Sequence, residues 1–405
     1  MTALPPLAPG RGIPSWCTAH PETLAAILSA YRDDADPILI EATCNQVNQD
    51  GGYTGLTPAA FRALVEGIAR AEGVDPARLI LGGDHLGPNP WRHLRAAEAM
   101  KKARAMVAAY VGAGFAKIHL DASMACAGDG ILDEGAMADR AADLCAAAEA
   151  AGTAPHYVIG TEVPVPGGET AGHGAPSVTR PEAAARTHAL HREAFARRGL
   201  GDAFGHVVAM VVQPGVDFSN DAVHAYDPDA ARALIDARPS GLTWEAHSTD
   251  YQSEDALAAL VRDGFGILKV GPELTFAFRQ AALALERLER ATDPARPSGL
   301  EAALRAAMEA RPADWRAHVA PGPRERAMMI HGLSDRVRYH WPDPGVRAAW
   351  ERLRANLAAA RPEPGLVAQA TGGLVGPVPD DLPGAVVRSM VGAVVAKYRR
   401  AAGRV

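Results

Sequence analysis

Leu79-Ile80-Leu81-Gly82-Gly83-Asp84-His85-Leu86-Gly87-Pro88-Asn89 joins a short apolar run to an acid beside an imidazole, then to two helix breakers. The front half has the texture of a buried parallel strand, apolar on both faces. Asp84-His85 would then sit at the C-terminal end of that strand, where α/β enzymes present metal ligands and proton-transfer groups. An isolated Asp-His pair is more often a histidine satisfied by its own loop. The weight therefore rests on whether the rest of the chain repeats the pattern.

It does. Apolar runs ending in polar residues recur at 12–17, 38–43, 79–84, 116–121, 156–161, 207–213, 241–247 and 266–270. Helical signatures separate them. Thr57-Pro58 reads as an N-cap with proline in the first turn, and Phe61, Leu64, Val65 and Ile68 follow at helical spacing. Ala-rich segments at 96–110, 137–151 and 181–196 have high helix propensity. Regular alternation of this kind predicts an α/β fold, a (β/α)8 TIM barrel, over residues 1–290. A doubly wound open sheet is the alternative, but neither GxGxxG nor GxxxxGK[ST] occurs. After 290 the texture changes to proline-broken helical pieces at 299–310, 344–360 and 384–401. Residues 291–405 are expected to form a C-terminal helical extension packed on the barrel.

Bulk composition narrows the function. The 405 residues carry 41 Lys and Arg against 47 Asp and Glu, a formal charge of −6, with no long basic run. That argues against nucleic acid as a partner. Four cysteines, Cys17, Cys44, Cys126 and Cys145, show neither CxxC spacing nor the density of a disulfide framework. They read as free thiols. With no apolar h-region at the start and no run long enough to span a bilayer, a cytoplasmic protein without membrane contact is expected.

The run ends are unusually polar. They carry Cys17-Thr18-Ala19-His20, Glu41 with the amide-rich loop Cys44 to Tyr53 (including Asn45 and Asn48), Asp84-His85, and His119-Leu120-Asp121. Further on come Thr161-Glu162, Gln213, Glu245-Ala246-His247-Ser248-Thr249-Asp250, and Lys269-Val270-Gly271. Imidazoles on the third and seventh runs with carboxylates between them suit a divalent ion with an open position, Zn²⁺ first, Mn²⁺ or Co²⁺ next. Since His119 and Asp121 alternate, one of them could stand behind the other's contact. Ser248, Thr249 and Asp250 with Lys269 and Gly271 occupy the two loops that often hold phosphate in barrels. Equally, Lys269 could balance inward carboxylates.

Several segments together resemble a known family. IPSWCTAHPETL, IEATCNQVNQDGGYTG, ILGGDHLGPN, KIHLDASMACAGD, VIGTEVPVPGGE, WEAHSTDYQ and ILKVGPELTFA are similar to the GatZ/KbaZ proteins, described as accessory subunits of class II D-tagatose-1,6-bisphosphate aldolase and formerly as tagatose-6-phosphate kinases. The resemblance implies kinship with the zinc-dependent class II ketose-bisphosphate aldolases. It implies metal ligands at His85 and His247, with Glu162 and Gln213 as further candidates. It also implies proton transfer by Asp84, with Glu162 and Asp121 beside it, and sugar-phosphate contacts at Asn45, Asn48, Ser248, Thr249, Asp250, Lys269 and Gly271. One departure matters: Gln213 stands where the aldolases carry a zinc histidine, and an amide oxygen is a poorer zinc ligand than imidazole. Glu162 or Asp121 could supply the third ligand instead. The kinase description finds no nucleotide cradle.

Two functions follow as expectations. One is an accessory subunit supporting a separate catalytic aldolase chain in ketohexose-phosphate metabolism. The alternative is a stand-alone metal-dependent ketose or ketose-6-phosphate 4-epimerase, working by retro-aldol cleavage and re-addition. Tagatose and fructose differ only at C4, so an aldehyde that stays trapped and turns its other face yields the epimer. A homo-oligomer is compatible with either.

Overall fold

A computed structural model describes residues 4–5, 7, 10–152, 155–161, 176–373 and 378–404. Ten strands are present among the described residues: β1 (Ile13–Cys17), β2 (Ile38–Thr43), β3 (Leu79–Leu86), β4 (Lys117–Leu120), β5 (His156–Ile159), β6 (Val207–Val211), β7 (Asp217–Phe218), β8 (Val223–His224), β9 (Thr243–Ala246) and β10 (Phe265–Val270). Eight of them close into a barrel in the order β1-β10-β9-β6-β5-β4-β3-β2. Every pairing in it is parallel. The short β7-β8 hairpin is an insertion after β6. The protein is thus a (β/α)8 barrel, and all eight expected runs become its strands.

Helices follow the strands as their caps dictate. Pro58–Ala71 starts at Thr57, whose hydroxyl accepts from Ala60 N–H, and Phe61, Val65 and Ala69 face inward from it. Pro228–Asp236 and Glu254–Arg262 are capped in the same way by Asp227 and Ser253.

Strand periodicity stacks the barrel interior in layers. Side chains two residues apart share a face. Ile13, Leu39, Ile80, Val158, Ala209, Val211 and Ile267 form one apolar layer with Leu4 and Ala116, separate from the core between strands and helices. Two residues further along, Leu39 gives way to Glu41 and Ile267 to Lys269. Along β3 the sequence is Ile80, Gly82, Asp84. Glu41, Lys117 and Glu245 make a charged layer in which all three side chains are fully buried. Gly82 makes room for it, because a Cβ there would stand 2.5 Å from Glu41 Oε1. The Lys117 ammonium lies 2.6 Å from Glu41 and 3.0 Å from Glu245 Oε1. Removing it would strand two buried carboxylates. Lys117→Ala is expected to cost about 3–5 kcal/mol of stability, read as a lower urea midpoint. A loss below about 1 kcal/mol would contradict that reading of the layer.

The chain beyond Ala291 is helical, at Leu300–Ala310, Glu325–His331, Pro344–Ala360, Pro364–Thr371 and Leu382–Ala401. The last of these packs on helices Pro272–Ala291, Pro21–Ser29 and Glu254–Arg262. Tyr398 donates to Thr249 O at 2.7 Å, Lys397 pairs with Glu273 at 2.5 Å, and Arg399 pairs with Asp34. No helix among the described residues is long and apolar enough to cross a membrane.

Candidate active site

In a regular strand Asp84 and His85 would point to opposite faces. The register between β3 and β4 shifts between Gly83 and Leu86, and His85 takes φ +49°. Such a bulge with a left-handed residue is costly, and bulges re-aim side chains beside active sites. Both side chains turn into one cluster at the barrel mouth. Gly87 closes the turn where a Cβ would overlap Asp121 O, at 1.6 Å. After β9, His247 is followed by Ser248 at φ +52°, a second strained position on the rim.

Asp84 is the centre. Its carboxylate lies 2.7 Å from Lys269 Nζ, 3.0 Å from His119 Nδ1, 3.5 Å from His85 Nε2 and 3.9 Å from His247 Nε2. The three imidazoles surround it, with ring centroids 5.2 Å (85–119), 4.9 Å (85–247) and 5.3 Å (119–247) apart. Each has one nitrogen held by a carboxylate: His85 Nδ1 by Asp121 at 2.8 Å, His119 Nδ1 by Asp84, and His247 Nε2 by Glu245 at 2.9 Å. His119 Nε2 and His247 Nδ1 are buried with no partner. Unpaired buried nitrogens beside carboxylate-braced imidazoles are what a bound metal ion would satisfy. Ligand atoms of Asp84, His119 and His247 lie within 4.8 Å of one another. Glu41, Asp84 and Glu245 meet the same distance condition, but the Lys117 ammonium already stands against both glutamates.

Electrostatics set the charge states. Burial pushes the Asp84 carboxyl up, but His85, Lys269 and His119 outweigh it and hold it well below the ordinary range. Burial, seconded by Lys269, keeps His247 neutral far below the usual imidazole value. His119 goes the other way: the bond to Asp84 overcomes burial and raises it. Lys269 is raised, as Asp84 outweighs burial.

The other expected site residues fall into different places. Asp121, expected in proton transfer, has both oxygens engaged: one by His85, the other by Ser123 N–H at 3.0 Å and Ser123 Oγ at 2.6 Å. It positions His85. Gln213 turns its amide oxygen to Gly215 N–H at 2.8 Å and makes no bond to the cluster among the described residues. The cluster contains His119 instead, an imidazole whose presence the sequence showed but whose direction it could not. Glu162 lies outside the described residues. Asn48 is consumed by its own loop, donating to Cys44 O and accepting from Asp50 and Gly52 N–H. Asn45 does line the cleft over the site, with Cys17, Gln46, Tyr53 and Lys269.

The expected phosphate cradle is also otherwise engaged. Gly271 and Glu273 N–H, at the start of helix Pro272–Ala291, donate to Asp250 Oδ1 at 3.0 and 2.7 Å. That side chain takes the anion's position itself. Thr249 Oγ1 donates to Lys269 O at 2.7 Å and contacts Tyr398. Lys269 balances a carboxylate, though Asp84 rather than Glu245. Ser248 keeps only its place on the rim.

The fold is a closed parallel barrel, and Asp84, His119 and His247 cluster closely enough to share an ion. The chain belongs to the D-tagatose-1,6-bisphosphate aldolase subunit GatZ/KbaZ-like family, whose model matches residues 8–402. It is 49% identical to the D-tagatose 6-phosphate 4-epimerase of Agrobacterium fabrum, covering 97% of this chain and 95% of that one. To the D-tagatose-1,6-bisphosphate aldolase subunit GatZ of Klebsiella pneumoniae it is 48% identical, covering 88% and 87%. A crystal structure from Sinorhizobium meliloti 1021, described as a probable tagatose 6 phosphate kinase, superimposes with a TM-score of 0.88 at 44% identity, covering 96% of this chain and 100% of that one.

Proposed function

We propose that this chain is a metal-dependent ketohexose-phosphate 4-epimerase that interconverts the tagatose and fructose forms of a hexose 6-phosphate. The observation that carries the reading is buried Asp84, enclosed by His85, His119, His247 and Lys269, whose charges favour its carboxylate form. A merely supporting subunit has no use for so costly an arrangement of buried charge. A relative carrying the 4-epimerase name matches along nearly its whole length.

His119 and His247, with Asp84 or His85, would hold a divalent ion, zinc in first place given the nitrogen-rich donor set. When bound, the ion supplies Lewis-acid stabilisation of charge developing at the ketose C2 oxygen. Asp84 accepts the C4 hydroxyl proton as the C3–C4 bond breaks, leaving an enediolate on C1–C3 and an aldehyde on C4–C6. Lys269, at 2.7 Å, keeps that carboxylate ionised before the transfer and stabilises its return to charge afterwards. If the aldehyde turns and the enediolate re-adds to its other face, the proton returns to the C4 oxygen and the product is the C4 epimer. No atom is gained or lost. Enclosure at the barrel mouth favours re-addition over escape by raising the fragments' effective concentration.

A second reading has independent support in the GatZ relatives, named as aldolase subunits: the chain would assist a separate class II aldolase. The two separate cleanly. An epimerase interconverts tagatose 6-phosphate and fructose 6-phosphate by itself, whereas an accessory subunit changes only the activity of an added aldolase.

A further inference from the structure

The cleft over Asp84 is walled on one side by the C-terminal extension. Arg338 and Tyr339 line it together with Lys269, Asn45, Gln46 and Tyr53. The arginine is held from behind: Nη1 donates to Ser334 O at 2.5 Å and Asp335 O at 3.0 Å, and Nη2 to the Tyr339 hydroxyl at 3.1 Å. Its Nε makes no hydrogen bond among the described residues, so the Nε–Nη2 edge is largely uncommitted. That edge is the one with which guanidinium grips an oxyanion through two parallel bonds.

Charge points the same way. Arg338 has no ion pair among the described residues, and neither has Arg336, whose guanidinium lies 4.4 Å from the Tyr339 ring. Arg338 lies 4.6 Å from the same ring. The nearest acid in the segment, Asp335, is already spent: Arg279 pairs with it at 2.8 Å and Thr275 Oγ1 donates to it at 2.5 Å. Elsewhere in the molecule inward-facing cations are neutralised, as Lys117, Lys269, Arg279 and Arg399 are. Arg338 at the cleft wall, with Arg336 against the same ring, leaves two guanidiniums without a carboxylate, a cost that an incoming anion at Arg338 reduces.

The turn that bears them is fixed rather than free. Asp335 sits at φ +43°, a strained conformation for a residue with a side chain. It is locked there by Arg279 and Thr275 from helix Pro272–Ala291, while Tyr251 donates to Leu333 O at 2.5 Å. Meanwhile the helix-start amides that could otherwise hold phosphate are occupied by Asp250, and Lys269 is occupied by Asp84. The anion must be met from the other wall.

We propose that the C-terminal extension completes the active site, with Arg338, flanked by Tyr53 and Tyr339, receiving the phosphate monoester of the substrate. The identity of the phosphate carrier rests on the epimerase reading; the anion site itself does not. Its test is direct binding of inorganic phosphate to the full-length chain by calorimetry, for the wild type, Arg338→Ala and Arg338→Lys. Wild type should bind phosphate, Arg338→Ala at least about tenfold more weakly, and Arg338→Lys, which keeps the charge but loses the fork, in between. Thermal unfolding checks that each variant is folded, and Arg338→Lys alone decides if the alanine variant is not. In turnover, the preference in kcat/KM for tagatose 6-phosphate over tagatose should shrink in both variants, chiefly through KM. Wild-type phosphate affinity in Arg338→Lys, or no phosphate binding by the wild type, would overturn the proposal. Phosphate binding through Arg338 in a chain that turns over no ketose would leave this site standing and remove the epimerase reading instead.

Discussion

Asp84→Asn is expected to lower kcat for C4 epimerisation by about 10²–10⁴-fold, the range in which a positioned acid-base group contributes. The amide keeps the size and the hydrogen-bonding reach of the carboxylate but cannot accept the C4 hydroxyl proton. It also removes the anion that holds Lys269 and raises His119. Both neighbours should therefore titrate lower in the metal-free variant than in the metal-free wild type, a shift that side-chain NMR of His119 would register. The effect should fall on kcat rather than KM, because the interaction is made as the bond breaks. An Asp84→Asn protein with wild-type kcat would remove Asp84 from the chemistry.

The second large effect separates two candidate ligands. His119→Ala should lose most of the divalent metal that the purified wild type retains, since it deletes an imidazole whose outer nitrogen is buried and unpartnered. Gln213→Ala should retain it, because the Gln213 amide oxygen serves Gly215. Metal analysis by mass spectrometry reads both without any assay of activity. Loss of metal in Gln213→Ala with retention in His119→Ala would restore the ligand set suggested by kinship with the aldolases and refute the one drawn from this geometry.

That exchange shows what the sequence could and could not reveal. The barrel was legible because it rests on local signals: β-type apolar runs, capped helices between them and short connections. The strand ends were legible as a group, since polarity at the end of a buried run needs an explanation wherever it occurs. What could not be read was direction. Whether His119 or Asp121 faces the site depends on the pleat and on the bulge at Asp84-His85, and in the structure both join it, one at Asp84 and one behind His85. Whether Asp250 contacts a ligand or caps its neighbouring helix depends on which backbone amides lie within reach. Arg338 gave no local signal at all. It lies 69 residues beyond Lys269 and reaches the cleft only through packing of the extension on helix Pro272–Ala291, by way of the Arg279–Asp335 pair. Long-range placement of this kind leaves no periodic mark in the chain.

The most direct test of the central claim uses the metal-loaded protein alone. It is incubated with tagatose 6-phosphate, with no aldolase present, and followed by ¹³C NMR. The account predicts growth of fructose 6-phosphate to a stable ratio reached equally from either sugar, without accumulation of the three-carbon aldehyde, and abolished by His247→Ala. No conversion with Zn²⁺, Mn²⁺, Co²⁺ or Mg²⁺ in the wild-type protein would contradict it and leave the accessory-subunit reading in its place.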